Sequence, residues 1–163
     1  MLKQIALATT MTALAMNSVS VFAIDHVIQM TATVPENHYY VEPVDKTWLG
    51  KPVELIFRND LSDPDFVKMV KQFDTKHTDP KGSIHTSLLN EAFLYDGTNK
   101  IDVEIKFGNK VLNTVPQETV GGTESVGGKR VDMVIAPQKP TGGYKAGAYT
   151  GTFTMVHEAV LAP

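Results

Sequence analysis

The sequence predicts an all-β protein built as an antiparallel sandwich, and three observations support this fold class. Apolar and polar residues alternate in about seven short runs, the pattern of strands that bury one face. Clusters of Gly, Pro, Asn and Asp separate these runs, as the turns of a sandwich do. The chain has no cysteine, so core packing, ladder hydrogen bonds or assembly must hold it together.

Residues 1–23 are typical of a secretory signal peptide. Lys3 gives a positive start, an apolar stretch follows, and small residues ending at Ala23 form a cleavage pattern. A membrane anchor is the weaker alternative, because the apolar run is short and interrupted by polar residues. Cleavage would leave one domain with one core, and losing Lys3 would move the net charge from −3 to −4. The sequence contains no basic patch of the kind that would indicate nucleic-acid binding.

The run that follows the leader, residues 24–34, alternates along most of its length. Its apolar face carries Ile24, His26, Ile28, Met30, Ala32 and Val34. Chain ends usually fray unless something holds them, so an end this apolar needs a groove. That groove could belong to its own domain or to a neighbouring copy.

Proline-rich residues 35–46 predict an irregular connection. Residues 52–58 predict the next strand, with Val53, Leu55 and Phe57 on one face and Pro52 at the start, where no ladder donor is lost.

Residues 59–73 are ambiguous. Asp63 and Pro64 resemble a helix start, and apolar residues at helical spacing follow them, yet residues 67–73 also alternate. Local signals alone favour a short helix here. Residues 75–82, which include Asp79 and Pro80, predict a turn.

The second half of the chain predicts a series of strands separated by turns. Gly108 and Asn109 between two of them are a strong hairpin signal, and glycine pairs at 121–122 and 127–128 bracket a predicted flexible loop. The predicted strands are residues 83–89, 101–107, 110–115, 129–136 and 148–160.

Residues with catalytic or metal-binding chemistry do not form a recognisable site. The histidines lack tight metal-ligand spacing, and a polar turn explains Asp74, His77 and Asp79 as well as a cation site would. Ser83 and His85 have no nucleophile elbow around them. The sequence therefore predicts no catalytic, metal or cofactor site.

Three aromatic residues, Tyr39, Tyr40 and Trp48, could form a sugar-stacking platform. Aromatic residues in a sandwich more often belong to its core or to an interface, so glycan contact is the less favoured interpretation.

Several stretches together resemble one family. Residues 24–34, Ile-Asp-His-Val-Ile-Gln-Met-Thr-Ala-Thr-Val, resemble the mature N-terminus of major pilins of the colonisation-factor class. These pilins form the class 5 or alpha fimbriae of the alternate chaperone–usher pathway. Residues 103–114, 131–137 and 146–151, the last reading Ala-Gly-Ala-Tyr-Thr-Gly, are similar to later family segments. The resemblance is weak over residues 36–99.

The resemblance implies an incomplete immunoglobulin-like sandwich over residues 35–163, preceded by an N-terminal donor strand over residues 24–34. In such pilins, the extension of one subunit fills the missing-strand groove of the next. The matching donor residues here are Ile24, Ile28, Met30, Ala32 and Val34. The family pattern favours a strand over the helix at residues 66–73. In this chain, proline follows Val34 directly, one residue earlier than is common in the family.

The function implied is that of a major structural subunit, not an enzyme, in surface filaments that mediate adhesion and colonisation. The implied partners are further copies of the chain, a periplasmic chaperone, an outer-membrane usher and a tip adhesin subunit. An alternative is a minor or adhesive subunit that binds host glycan through Tyr39, Tyr40 and Trp48. Family tip adhesins are larger, so a single domain of this length favours the filament shaft.

Overall fold

The computed structural model describes Gln29, Thr31, Ala32 and residues 39–60 and 62–161. The chain divides into two units, Met1–Val34 and Pro35–Pro163. In the first unit, the three described residues are exposed and lie outside any helix or strand. All the described strands and the described helix belong to the second unit.

The described part of the second unit consists of short strands and one helical turn. In chain order they are β1 (Tyr39–Pro43), β2 (Phe57–Arg58), β3 (Asp65–Phe66), β4 (Met69–His77), β5 (Ser83–Leu88), β6 (Phe93–Tyr95), β7 (Lys100–Phe107), β8 (Lys110–Val111), β9 (Gln117–Val120), α1 (Gly122–Val126), β10 (Lys129–Pro137) and β11 (Met155–Val160).

The strands form two main antiparallel sheets. The first has the order β1-β4-β10-β7-β6, with β8 beside β7, and the second has the order β11-β5-β9. Strands β2 and β3 form a separate two-stranded ribbon. The prediction of an all-β antiparallel sandwich is confirmed.

The core forms where alternate residues of both sheets meet. From the first sheet, Phe73 and Phe107 pack edge to face with their ring centroids 5.5 Å apart, and from the second, Ile84 is fully buried. Each large apolar side chain buried in this way contributes roughly 1.5–3 kcal/mol. The other members of this core cluster are Leu88, Ala92, Ile105, Leu112, Val120, Val131, Met133 and Ile135.

The short helix that local signals favoured within residues 59–73 is wrong. Strand β4 begins at Met69 and pairs with β1 on one side and β10 on the other, so that Phe73 lies opposite both Pro43 and Val131. This double ladder outweighs the helix-start signal at Asp63. The strand that the family resemblance favoured here is what the structure contains from Met69 onwards.

Other boundaries also differ from the prediction. Strand β1 lies within the predicted connection 35–46, and only two residues of the predicted strand 52–58 are in a strand. The predicted last strand, 148–160, is regular only from Met155, although Thr150 makes an isolated bridge to Tyr95.

Two elements lie in the region between residues 115 and 129, where no regular structure was predicted. Strand β9 pairs with β5, and the predicted loop between the glycine pairs contains α1. Ser125 of α1 is fully buried, and its hydroxyl donates a hydrogen bond to the carbonyl of Gly122 at 2.8 Å. The predicted hairpin at Gly108 is present, since β7 pairs with β8 and Gly108 has a φ of 59°.

Candidate functional site

The main candidate site is an apolar cleft of about 1780 Å³ in the second unit. One wall is the inner face of the first sheet, which contributes Phe73, Ile101 and Met133, and the opposite wall includes Phe153 and Met155. Sandwich interiors normally pack with few voids larger than a water molecule. No element among the described residues fills this space between core side chains.

Strand β11 borders this cleft and has one free edge, because the only described strand with which it pairs is β5. The Leu89 amide donates to the carbonyl of Thr154 at 2.9 Å, and this bond determines which residues of β11 direct their backbone groups towards β5. In an antiparallel pair, every second residue directs its N–H and C=O groups away from the partner strand. Met155, His157 and Ala159 are those residues in β11.

The free backbone groups of β11 are largely without partners among the described residues. The one contact recorded there is a long one, from the Tyr39 hydroxyl to the carbonyl of His157 at 3.5 Å. An edge of this kind is a template for pairing with another strand. Since the side chains of Met155 and His157 also line the cleft, a strand that paired here would lie along the cleft.

The irregular segment 44–56, which follows β1, contributes another part of the cleft lining. Trp48 packs edge-on against Phe73 with a centroid distance of 6.2 Å, and the ammonium group of Lys71 lies 5.6 Å from its ring centre. Val53 and Leu55 line the cleft too, although neither belongs to a strand. The alternating pattern of residues 52–58 therefore lies beside the cleft, and before Phe57 it has no sheet partner among the described residues.

An aromatic cluster of Phe57, Phe66 and Tyr144 adds to the lining, with ring centroids 5.0 to 5.3 Å apart. The Tyr144 hydroxyl donates to Asp65 Oδ1 at 2.6 Å. This hydrogen bond lowers the pKa of the Asp65 carboxyl, while burial and the same carboxylate raise the pKa of Tyr144. The bond joins the β2–β3 ribbon to the segment before β11.

The predicted donor residues lie almost entirely outside the described part of the chain. Ile24, Ile28, Met30 and Val34 are not described, and Ala32 is exposed and not in a strand. Their donor role stays a prediction.

The three residues predicted as a possible sugar platform occupy different places. Trp48 lines the large cleft, Tyr40 lines a separate surface pocket of about 330 Å³, and Tyr39 stacks on His77 with ring centroids 6.4 Å apart. Tyr39 and Tyr40 are neighbours in β1, so their side chains point to opposite faces of the sheet. The structure does not bring the three together, and glycan contact stays a prediction.

The other polar groups considered from the sequence are engaged locally. Asp74 pairs with Arg130 at 2.8 Å, and the amide of Asp79 donates to His77 Nδ1 at 3.1 Å. Ser83 Oγ lies 3.1 Å from His85 Nε2 within one strand. Within residues 39–60 and 62–161, no group of three His, Cys, Asp or Glu side chains could hold a metal ion. No helix in the described ranges is long and apolar enough to cross a membrane.

The acceptor side of the site, including His157, was not predicted from the sequence. Its ring lies inside the sandwich, 5.3 Å from the ring centre of Phe107. A signal was present, because Phe153, Met155 and His157 share one alternating face. Only the fold shows that this face borders an open cleft.

The fold is similar to that of a solved pilin subunit. The solved CooA pilin subunit from enterotoxigenic Escherichia coli has a similar fold, with a TM-score of 0.57 and 17% identity, over 73% of this chain and 86% of that chain. A family model described as CS1 type fimbrial major subunit matches residues 24–158. The chain belongs to this family and is a structural subunit of a fimbrium, an extracellular surface appendage. A comparison with curated proteins finds no match.

Proposed function

We propose that this chain is the repeating shaft subunit of its fimbrium and that it polymerises by donor-strand exchange. Residues 24–34 of one copy would lie in the cleft of the next copy and pair with the free edge of β11. The observation that carries the proposal is the position of the apolar cleft beside this unpaired edge.

The length of the proposed donor segment matches the length of the free edge of β11. A strand rises about 3.3 Å per residue, so the seven residues from Ile28 to Val34 span roughly 20 Å from first to last Cα. The six residues of β11 span about 17 Å on the same measure. One donor segment can therefore pair along the whole free edge.

The chemistry of the two parts also agrees. A strand added to a sheet edge gains main-chain hydrogen bonds, and its alternate side chains fill pockets. The residues proposed to enter the cleft are Ile24, Ile28, Met30, Ala32 and Val34. Because this contact is head to tail and does not close, repeating it produces a filament.

The same cleft explains the proposed export partners. An open apolar groove and a free edge make an unassembled subunit prone to aggregate. We expect a periplasmic chaperone to occupy the cleft after residues 1–23 are removed, an outer-membrane usher to exchange it for a donor strand, and a tip adhesin to end the filament. The filament would mediate adhesion and colonisation.

Deletion of residues 24–34 tests the proposal. The shortened subunit should fold but form no filaments in electron microscopy or sedimentation, because it has no strand to donate. A matched control changes only the opposite face, with Gln29, Thr31 and Thr33 replaced by serine, and should still polymerise. Filaments formed by the shortened subunit would show that the segment is not the donor.

A further inference from the structure

His157 is the polar side chain that β11 places on the inner face of the sandwich beside its free edge. The ring packs against Phe107 on one side and lines the cleft on another. An apolar residue would continue the alternation begun by Phe153 and Met155. The imidazole therefore replaces apolar packing at this point with a specific hydrogen bond.

A chain of hydrogen bonds determines which ring nitrogen carries the proton. The Thr119 hydroxyl donates to the carbonyl of Ile84 at 3.1 Å, and a carbonyl can only accept. Thr119 Oγ1 then accepts from the Thr86 hydroxyl at 2.9 Å, so Thr86 Oγ1 must accept from His157 Nδ1 at 3.0 Å. All three contacts are hydrogen bonds at once only if neutral His157 carries its proton on Nδ1.

This series of hydrogen bonds joins all three strands of the second sheet, since His157 is in β11, Thr86 in β5 and Thr119 in β9. Thr86 is fully buried at the centre of the chain. With Nδ1 donating to Thr86, Nε2 is left as an acceptor, and it makes no hydrogen bond within the part of the chain that the structure describes. Protonation would place a positive charge on a ring that lines an apolar cleft.

No carboxylate contacts His157 among the described residues. The ring of His157 is in contact with Thr86 of β5 and Phe107 of β7, and neither of these side chains is titratable. The Tyr39 hydroxyl of β1 contacts only the backbone carbonyl of His157. Burial without a compensating anion lowers the pKa of His157 below its ordinary value of 6.5. The charged residues that line the cleft are Lys51, Glu54, Lys71, Lys139 and Lys145.

Resting on the function proposed above, we propose that His157 is a positioning residue that makes donor-strand binding acid-sensitive. His157 holds the acceptor strand β11 against β5 and β9, in the position that receives the donor, through its Nδ1–H group, which both protonation states possess, and protonation of Nε2 adds a positive charge beside the apolar cleft. In its protonated form it weakens both the subunit and the contact between subunits.

Linkage gives the direction of the effect. The contribution of neutral His157 to the free energy of unfolding is complete above the pKa of about 6.5 that histidine has in the unfolded chain. It is lost as the pH falls below this value, because the unfolded chain then binds a proton that the folded chain binds less tightly. A donor strand that covers Nε2 with apolar side chains disfavours the proton further. By reciprocity, protonation weakens donor binding, by about tenfold for each unit by which the donor lowers the pKa.

The test measures two quantities on the full-length exported protein: the temperature at which its filaments dissociate and the melting temperature of its subunit. Each is compared at about pH 7.5 and about pH 5, a range in which only histidine side chains normally titrate. His157→Asn keeps a side-chain N–H for Thr86 but cannot titrate. His85→Gln is the matched control, since His85 lies on the opposite face of its sheet, beside Ser83.

We expect both temperatures to fall in acid for the wild type and for His85→Gln, and to change much less for His157→Asn. Equal acid sensitivity in His157→Asn would assign the effect to the remaining histidines, such as buried His77, and overturn the proposal. If no filament forms at any pH, the proposed function fails, but the subunit melting temperatures still test His157. Should His157→Asn not fold, ¹⁵N spectra of wild-type His157 decide, because a proton on Nε2 in the neutral form would contradict the hydrogen-bond chain.

Discussion

At the scale of single residues, Gly151 shows how closely the last segment packs against the first sheet. Tyr95 and Thr150 exchange backbone hydrogen bonds of 2.8 and 3.0 Å, which draws the next residue against β6. A Cβ atom on Gly151 would lie 2.1 Å from the carbonyl oxygen of Phe93. Gly151→Ala should therefore destabilise the subunit by about 1–3 kcal/mol, as overpacking does.

Thermal unfolding measures this effect, and Gly142→Ala is the matched control. A Cβ atom at Gly142 would have no neighbour within 4 Å, and its φ is not positive. The control should be neutral or slightly stabilising, because alanine reduces the entropy of the unfolded chain. Equal melting temperatures for the two variants would mean that a methyl group fits at Gly151 without a clash.

The acceptor side of the site could not be predicted from the sequence, and the predicted donor residues stay a prediction. Alternation placed Phe153, Met155 and His157 on one face, yet it could not show that this face borders a cleft. Trp48 was considered as a possible sugar contact and lies in the cleft lining. Such positions depend on which distant strands meet, and this information is absent from any short run of sequence.

At the scale of elements, the predicted donor strand makes a sharp distinction between its two faces. Met30→Asp would place an unpaired carboxylate in the apolar cleft, at a cost of several kcal/mol, and should abolish assembly. Thr31→Asp puts the same charge on the opposite face and should have a milder effect. Sedimentation of the two variants measures the amount of filament, and equal defects would show that the segment is not buried on one face.

Clean alternation correctly predicted two inner strands of the first sheet, whereas local signals wrongly favoured a helix at β4, which is also an inner strand. Residues 101–107 and 129–136 alternate cleanly, and the structure has β7 and β10 there. Strand β1 was not predicted because its own sequence contains Pro43 and indicates an irregular connection. Its extended conformation depends on pairing with β4. Residues 53–56 show the reverse case, since they alternate but have no described partner strand.

At the scale of the whole molecule, the described residues form a sandwich with an apolar cleft that none of them fills. Core side chains that line this cleft lack packing partners there among the described residues, and no disulfide compensates, because the chain has no cysteine. Native domains are stable by only about 5–15 kcal/mol, so an unfilled cleft should leave the isolated subunit marginally stable. A strand in the cleft would complete both the core and the open ladder of β11.

The most direct measurement is the melting temperature of a subunit lacking residues 24–34, with and without a synthetic peptide of that sequence. A partner that binds only the folded state stabilises it by about 2.7 kcal/mol at a hundredfold excess over Kd. We predict that this peptide raises the melting temperature and that a scrambled peptide of the same composition, which lacks the alternation, does not. If both peptides give the same melting curve, the cleft is not a specific acceptor for the donor strand.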